Sequence, residues 1–234
     1  MRISGSIALV TGANRGIGRH FAGQLLERGA AKVYATARNP EQIDIPGVER
    51  LRLDITDPGS VEAAAAIASD VTLLVNNAGI STFTNLVTGD LATIRSELDT
   101  HFYGTLSMVR AFAPVLATNG GGGILNLLSA MSWFSYDGAN AYGVAKAAEW
   151  SLTNGIRLEL AGQGTLVTGL HLGSADTDMS AGYHGDKIDP ADVVRAALDG
   201  VEAGRIEVLA DEWSAYVKAS LANDPSDFYA ATAR

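Results

Sequence analysis

Residues 7–18 read IALVTGANRGIG, and this stretch decides the fold. The apolar residues Ile7–Val10 predict a short buried strand, and a turn rich in glycine follows, with Gly12, Gly16 and Gly18. Helical periodicity begins directly after the turn. The N-terminus of a helix presents free N–H groups and the positive end of its dipole, which favour an anion such as a pyrophosphate. Glycine suits this turn because a Cβ atom would hold a phosphate away from the backbone.

The spacing of the three glycines is Gly-x3-Gly-x-Gly, which differs from the usual Gly-x-Gly-x2-Gly of dinucleotide-binding turns. Such a turn also occurs for backbone geometry alone, so the glycines by themselves leave both interpretations open. The context of strand, turn and helix favours a nucleotide. We expect these turn residues to contact it: Gly12, Asn14, Arg15, Gly16, Ile17 and Gly18.

Strands and helices alternate along the rest of the chain. We predict further strands at Lys32–Ala37, 48–53, 71–75, 124–128 and Leu166–His171. We predict the later helices at 57–68, 90–117, 142–160 and Pro190–Glu202, with Pro114 as a candidate kink. Such alternation implies right-handed crossovers and a parallel sheet covered on both faces. The predicted fold class is therefore α/β, a single doubly wound domain of the Rossmann type over residues 1–234, with ligands beyond the carboxyl ends of the strands.

The composition excludes several classes of protein. A hydrophobic content of 47% with only 18% charged residues argues against disorder, and a formal net charge of −9 argues against a nucleic-acid partner. The chain has no cysteine, which excludes disulfides, thiolate metal sites and a cysteine nucleophile. We see no signal peptide and no apolar run of the roughly 18 residues that a membrane span needs. We expect a cytoplasmic enzyme or binding domain with no metal and no membrane partner.

Two arginines indicate which dinucleotide binds. Arg38 follows the second predicted strand, whose end should face the adenosine ribose, where a domain specific for NAD would carry an acidic residue. Arg38 and Arg15 would together bind a 2′-phosphate, because guanidinium recognises phosphate through paired hydrogen bonds. The alternative is that both arginines are solvated surface charges. The pattern favours NADP(H) as the cofactor.

Three residues form a candidate catalytic set. Ser129 follows the fifth predicted strand, and Tyr142 and Lys146 lie four residues apart on one face of the next helix. An ammonium beside a phenol favours the phenolate and lowers the pKa of the phenol from about 10. Such a phenol exchanges a proton with a substrate oxygen, which the Ser129 hydroxyl would orient.

The Tyr-x3-Lys spacing occurs a second time, at Tyr183 and Lys187. This copy lies in a segment with glycine and aspartate and has no serine at a strand end before it. We therefore assign catalysis to the first copy and consider Tyr183 a residue of a substrate lid.

Together these residues resemble the short-chain dehydrogenase/reductase family. The resemblance covers nearly the whole chain and rests on the following residues: Thr11-Gly12-x3-Gly16-x-Gly18, Asp54, Asn76-Asn77-Ala78-Gly79, Ser129, Tyr142-x3-Lys146 and Gly173 to Thr177. It implies hydride transfer between NAD(P)H and a carbonyl or alcohol carbon. By this resemblance Tyr142 is the acid and base, Ser129 orients the substrate oxygen, and Lys146 binds the nicotinamide ribose and tunes Tyr142.

The resemblance also implies the remaining cofactor contacts. Asp54 and Ile55 would contact the adenine, and the family's basic NADP-preferring residues correspond to Arg15 and Arg38. The other expected contacts are Asn77, Ala78 and Gly79 on the adenosine side, and Gly173, Ala175 and Thr177 at the carboxamide end.

The chain departs from the family pattern in several places. His101 stands where the family carries an asparagine that holds a water of the proton relay. A histidine there holds that water, moves the proton itself or only packs beneath the site, and we include His101 in the candidate catalytic set. Leu172-Gly173 stands where the family usually has Pro-Gly after the sixth strand. Only 12 residues separate Thr177 from Pro190, where many members carry a longer substrate lid. The segment after Glu207 does not resemble the family's usual C-terminal segment.

The leading hypothesis is an NADPH-dependent carbonyl reductase acting on a small-molecule ketone or aldehyde. The alternatives are an alcohol dehydrogenase working oxidatively and an NADP-binding sensor or scaffold without turnover. We expect the substrate pocket in loops around 80–90, 130–140 and 173–190. The aromatic residues Trp133, Phe134 and Tyr136 either wall this pocket or cover the sheet edge or an oligomer contact. The resemblance implies a homodimer or homotetramer, for which Phe112, Val115, Leu116, Trp150 and Leu152 are contact or core residues.

Overall fold

A computed structural model describes residues 1–232 of the chain. Its centre is a seven-stranded, wholly parallel sheet in the order β3-β2-β1-β4-β5-β6-β7. The strands are β1 Ile7–Val10, β2 Lys32–Ala37, β3 Glu49–Arg52, β4 Leu73–Asn76, β5 Gly123–Leu127, β6 Leu166–His171 and β7 Glu207–Leu209. The strand order reverses between β1 and β4, which opens a crevice at their carboxyl ends. The predicted doubly wound parallel fold is confirmed.

Helices cover both faces of the sheet. They are α1 Gly16–Glu27, α2 Pro58–Ile67, α3 Leu91–Leu98, α4 Thr105–Thr118, α5 Asn140–Glu159, α6 Pro190–Glu202, α7 Glu212–Ser220 and α8 Pro225–Thr232. Side chains alternate along each strand, so Val10 packs into the core beneath α1 and α6, whereas Leu9 packs into the core beneath α2, α4 and α5. Phe112 and Leu116 of α4 are buried in this second core, which accounts for two of the residues considered for an oligomer contact.

The predicted helix over 90–117 is interrupted. A π-helical turn, Asp99–Gly104, separates α3 from α4, and Pro114 lies inside α4. A π turn widens the helix locally and is frequent at functional sites. Here it carries His101, which is 1% exposed. The apolar periodicity of the stretch did not reveal this break.

The segment after residue 207 adds structure that the sequence did not predict. Strand β7 pairs with β6, and the two helices after it place Trp213 and Phe228 against Phe134. Trp133 stacks on the His171 ring with 3.9 Å between ring centroids. Trp133 and Phe134 therefore pack under the C-terminal helices, whereas Tyr136, the third aromatic residue after Ser129, is 54% exposed. Among residues 1–232 no helix is long and apolar enough to cross a membrane.

The close packing of the first helix on the glycine turn provides a stability test. A Cβ atom on Gly18 would overlap the carbonyl oxygen of Gly12, which is fixed backbone. We expect Gly18→Ala to lower the free energy of unfolding by about 1 to 3 kcal/mol, or to prevent folding, because the turn must move away from α1. Chemical denaturation measures the loss.

Gly23 is a matched control on the same helix, because no atom lies within 4 Å of a Cβ atom placed there. Gly23→Ala should leave stability unchanged or raise it by about 0.5 to 1 kcal/mol, since alanine is the better helix former. Similar losses in the two variants would show that close approach at Gly18 is not the cause.

Candidate active site

A cavity of about 1130 Å³ lies at the carboxyl ends of β1, β2, β4, β5 and β6. The structure brings nearly all of the predicted site residues to its wall. These are Gly12, Asn14, Arg15, Gly16, Ile17, Gly18, Arg38, Asp54, Ile55, Asn77, Ala78, Gly79, Ser129, Tyr142, Gly173, Ala175 and Thr177. Lys146 and His101 lie behind this wall, at 3% and 1% exposure.

The glycine turn is fixed by the end of β4. The Thr11 hydroxyl accepts hydrogen bonds from the backbone N–H groups of Asn77 and Ala78, both at 2.9 Å. The Asn77 side chain donates back to the carbonyl oxygen of Thr11 at 2.8 Å. Gly12 and Gly16 have positive φ angles of 66° and 52°, which glycine adopts without strain. The turn is therefore a rigid backbone cradle.

The N-terminus of α1 fits a phosphate group. Its N-cap residue, Arg15, makes no capping hydrogen bond through its side chain, and the first turn carries no acidic residue. The first N–H groups of the helix thus face the cavity without a side-chain acceptor at the cap. Gly16 also lies close to Thr177, since a Cβ atom placed on Gly16 would be 3.4 Å from the Thr177 side chain. These features fit a dinucleotide pyrophosphate.

The end of β2 forms the second half of the cavity. Arg38 follows the strand, and its charge together with that of Arg52 acts on Asp54. Burial alone would raise the pKa of the Asp54 carboxyl, but hydrogen bonds from Thr56 and these two cations hold it below its usual value. Arg15 lies 3.6 Å from Asp178, and both side chains are largely exposed, so this ion pair contributes little. Arg15 and Arg38 both line the cavity and are open to a further anion.

Ser129 and Tyr142 meet at the cavity wall below β5. Ser129 follows β5 and its carbonyl oxygen lies 3.0 Å from Nδ1 of His171, while Tyr142 lies in the first turn of α5. Burial raises the pKa of the Tyr142 phenol above its usual value, against the opposing effects of Lys146 and the Ser129 hydroxyl. The predicted lowering by Lys146 is thus outweighed by burial, and the phenol holds its proton at neutral pH.

Lys146 is held from below by a carboxylate. Its Nζ atom donates to the carbonyl oxygen of Leu127 at 2.6 Å and to Oε2 of Glu149 at 2.8 Å, and lies 5.7 Å from the centroid of the Tyr142 ring. Burial alone would lower the pKa of Lys146, but Glu149 and Tyr142 raise it above its usual value. Lys146 therefore stays an ammonium beside the phenol.

Two buried acids lie beneath the site and were not predicted from the sequence. Glu97 and Glu149 are 0% and 2% exposed, and their carboxylates lie on opposite sides of His101. The available signal was spacing, because Glu149 follows Lys146 by three residues and Glu97 precedes His101 by four, which places each pair on one helix face. A glutamate at such spacing is common on solvated surfaces, so the pattern did not distinguish the buried pairs.

The second Tyr-x3-Lys motif lies elsewhere. Tyr183 and Lys187 line a separate cavity of about 730 Å³ with His20 and His184. Lys187 is 3.3 Å from Asp176, and Ser129 does not line this cavity. Within the part of the chain that the structure describes, no group of three or more His, Asp or Glu side chains is arranged to hold a metal ion.

Comparisons with known proteins agree with this architecture. The family model described as short chain dehydrogenase matches residues 6–187. A solved short chain dehydrogenase from Burkholderia cenocepacia J2315, in complex with NADP, is 37% identical with a TM-score of 0.94 and 98% coverage of both chains. A curated 3-oxoacyl-acyl-carrier-protein reductase of Vibrio harveyi is 33% identical over 218 residues, which are 88% of this chain and 86% of the relative. A Burkholderia phymatum structure in complex with NAD, 21% identical with a TM-score of 0.84 and coverage of 96% and 98%, shares the fold.

The buried pair of Lys146 and Glu149 provides a second stability test. Glu149→Gln keeps the shape of the side chain but leaves the Lys146 ammonium buried without a counter-ion. We expect the free energy of unfolding at neutral pH to fall by about 3 to 5 kcal/mol. Burial alone would raise the pKa of Glu149, but Lys146 and His101 lower it below its usual value in the folded protein. The stabilisation by the Glu149 carboxylate is therefore fully present above the ordinary glutamate pKa of about 4.3. It is lost as the pH falls through the lower pKa of the folded protein. Urea unfolding at neutral and acidic pH should show the difference shrinking in acid.

Asp192→Asn is the matched control, because Asp192 and Arg195 are also three residues apart on a helix and 2.7 Å from each other, but both are exposed. That variant should lose less than about 1 kcal/mol. A loss in Glu149→Gln no larger than in the control would contradict the burial of the pair.

Proposed function

Because this chain belongs to the short-chain dehydrogenase/reductase family, a family of oxidoreductases, we propose that it is an NADPH-dependent carbonyl reductase that reduces a ketone or aldehyde to an alcohol. One observation carries the proposal beyond the family. Ser129 and Tyr142 line the same cavity as the glycine turn, with the Lys146 ammonium 5.7 Å from the centroid of the Tyr142 ring, so a candidate proton donor and a phosphate cradle share one site.

The chain's own residues perform the proton chemistry in this proposal. Bound NADPH supplies a hydride to the carbonyl carbon. Ser129 donates a hydrogen bond to the carbonyl oxygen and orients it, and Tyr142 donates the proton that completes the alcohol. Lys146 stabilises the phenolate that is left, because its ammonium is held in place by Glu149.

The cavity residues take the binding roles. The glycine turn and the N-terminus of α1 bind the pyrophosphate, and Arg15 and Arg38 bind the 2′-phosphate. The other contacts are Asp54 and Ile55 at the adenine, Asn77, Ala78 and Gly79 at the adenosine side, and Gly173, Ala175 and Thr177 at the carboxamide. The 37% identical Burkholderia cenocepacia enzyme is in complex with NADP, which supports this choice of cofactor.

The substrate reaches Tyr142 from the loops around 80–90 and 173–190. The first loop is joined to the start of α5, because the Ala141 N–H donates to the carbonyl oxygen of Thr84 at 2.9 Å and the Gly138 N–H donates to Asn85 at 2.8 Å. Apolar side chains on these loops are exposed, with Phe83 at 63% and Met179 at 44%. They provide an apolar entrance suited to a hydrophobic carbonyl compound.

We also propose that the chain forms a homodimer or homotetramer, because the family is commonly oligomeric.

Tyr142→Phe tests the proton donor. The variant keeps the ring and loses only the hydroxyl, so NADPH should bind as in the wild type while kcat falls by about 100-fold to 10,000-fold. NADPH oxidation is followed by absorbance against a panel of ketones and aldehydes, and NADPH binding by calorimetry. Tyr216→Phe, at an exposed tyrosine of α7 outside the cavity lining, is the control and should keep wild-type turnover. Near-normal turnover in Tyr142→Phe would refute the assignment of Tyr142 as the proton donor. If the wild type binds NADPH but reduces no compound of the panel, the result favours the sensor or scaffold without turnover.

Arg38→Asp tests the 2′-phosphate contact. Loss of a charge-assisted hydrogen bond and gain of a repulsive carboxylate should raise KM for NADPH by about 10-fold to 100-fold. KM for NADH should fall, because an acid at this position binds a ribose 2′-hydroxyl. Arg50→Asp, at an exposed arginine of β3 outside the cavity lining, should change neither value. An unchanged preference for NADPH in Arg38→Asp would show that Arg38 does not bind the phosphate.

A further inference from the structure

The chain after β7 approaches the cavity from a direction that the sequence did not indicate. The Ala210 N–H donates to the carbonyl oxygen of His171 at 2.8 Å, so the pairing of β7 with β6 continues to the ends of both strands. The next residue, Asp211, is the N-cap residue of α7. Parallel strands end at the same edge of the sheet, so Asp211 lies beside the turn after β6, where Gly173 lines the cavity.

Asp211 uses its two carboxylate oxygens for two different segments. Oδ1 accepts a hydrogen bond from the Ser214 N–H at 2.7 Å, which caps α7, and Oδ2 accepts one from the Gly173 N–H at 2.6 Å. Capping requires only one oxygen, and serine or asparagine performs it as well as aspartate. The second, charge-assisted hydrogen bond therefore ties the cavity wall to the C-terminal segment beyond what the helix itself needs.

Trp213 makes a second contact with the same turn. A Cβ atom on Gly173 would lie 2.9 Å from Cδ1 of Trp213, so the indole ring packs directly on the glycine backbone. The ring also meets Phe134 edge to face, with 5.7 Å between ring centroids, and Phe134 packs against Phe228 of α8 at the same centroid distance. Trp213 thus joins the turn after β6 to the loop after β5.

The remainder of the turn pairs with the segment before α6. The Ile188 N–H donates to the carbonyl oxygen of Ser174 at 2.9 Å, and the Asp176 N–H donates to that of Ile188 at 3.0 Å. These bonds begin one residue after Gly173, and the bond from Gly173 to Asp211 extends the restraint to the end of β6. Both ends of the turn are therefore held by later parts of the chain.

The sequence of the turn explains why an outside restraint is useful. Leu172 precedes Gly173 where the family usually has a proline. Proline fixes φ and stiffens a turn, whereas leucine leaves this rotation free. The carboxylate of Asp211 and the indole of Trp213 restrain the turn by contacts that the backbone at Leu172 does not supply.

We propose that Asp211 and Trp213 form a C-terminal clasp that positions residues 173–177 against the nicotinamide end of the cofactor. This inference rests on the proposed function and deepens it, because this turn is the part of the wall assigned to the carboxamide. Neither clasp residue lines the cavity, so both are positioning residues that act through Gly173. A turn that is held before the cofactor binds loses less freedom on binding, which strengthens binding and keeps the nicotinamide ring in place.

The clasp implies that the two ends of the cofactor respond differently to its loss. The proposed binding of the adenosine side uses the glycine turn, Arg15 and Arg38, which belong to other elements. Loss of the clasp should therefore weaken the binding of NADPH but not that of 2′-phospho-ADP-ribose, which is NADPH without its nicotinamide. A general loss of structure would weaken the binding of both ligands.

Asp211→Ser tests the clasp in the protein without substrate. Serine keeps the N-cap of α7, but its single oxygen, on a shorter side chain, cannot also hold Gly173. We expect the Kd for NADPH to rise by about 10-fold and the Kd for 2′-phospho-ADP-ribose to stay unchanged, both measured by calorimetry. Amide hydrogen exchange at Gly173, followed by NMR without cofactor, should become about 10-fold faster.

Asp57→Ser is the matched control, because Asp57 caps α2 by accepting from the Gly59 N–H at 3.0 Å and does not line the cavity. That variant should change neither Kd nor the exchange at Gly173. Equal losses for the two ligands in Asp211→Ser, or an unchanged Kd for both, would overturn the clasp.

Trp213→Leu is the second test variant and decides the clasp if Asp211→Ser does not fold. Trp213 is 38% exposed, so its replacement leaves the main cores of the protein in place. The Kd for NADPH should rise by about 3-fold to 10-fold, because the contacts of the indole with Gly173 and Phe134 are lost. The Kd for 2′-phospho-ADP-ribose should not change, and equal losses or no loss would again overturn the proposal.

The same measurements separate the clasp from the proposed function. If the wild type binds NADPH but reduces no carbonyl compound, the proposed function fails, and the comparison of the two ligands still decides the clasp. If it binds NADH in place of NADPH, the choice of cofactor fails, and the comparison is made with NADH and ADP-ribose. A wild type that binds neither dinucleotide would overturn both.

Discussion

The burial of one ammonium group, that of Lys146, is the constraint on which the site depends. A cation at this depth is stable only with a carboxylate beside it, and Glu149 supplies that carboxylate from the next turn of the same helix. Glu149 in turn accepts a hydrogen bond from Thr105 at 3.1 Å, which joins α5 to the start of α4. The π turn before α4 brings His101 to the other side of the carboxylate. The one carboxylate beside this charge thus contacts three helical elements.

The half of the cavity around the glycine turn depends on a different constraint, which is close approach between backbones. The turn after β1 and the turn after β4 touch through Thr11 and Asn77, and Gly18 leaves room for the carbonyl oxygen of Gly12. These contacts keep the cradle rigid before any ligand binds. The rigid cradle and the wall that carries Ser129 and Tyr142 in front of the Lys146 ammonium thus belong to one cavity.

Much of the fold followed from the sequence because strands buried on both faces are continuous apolar runs. Strands β1, β2 and β6 and helix α6 have the predicted bounds. The candidate site was also largely predictable, because the carboxyl ends of parallel strands converge and the predicted residues follow those strands. The π turn was not predictable, since apolar periodicity does not distinguish a π turn from an α-helix, and the burial of His101 depends on groups from other elements. Strand β7 is short and its partner β6 lies far away in the chain, so no local sequence pattern predicted this strand.

The sequence by itself determined the α/β class, the glycine turn and the order of Ser129, Tyr142 and Lys146, because these depend on periodicity, spacing and the chemistry of single residues. The sequence also pointed to the first of the two Tyr-x3-Lys motifs, whereas only the tertiary structure decided that Glu97 and Glu149 flank His101. The tertiary structure also decided the direction of the shift in the pKa of Tyr142, because desolvation depends on every atom packed around the phenol. Burial is a property of the whole fold, and residues distant in the chain create it together.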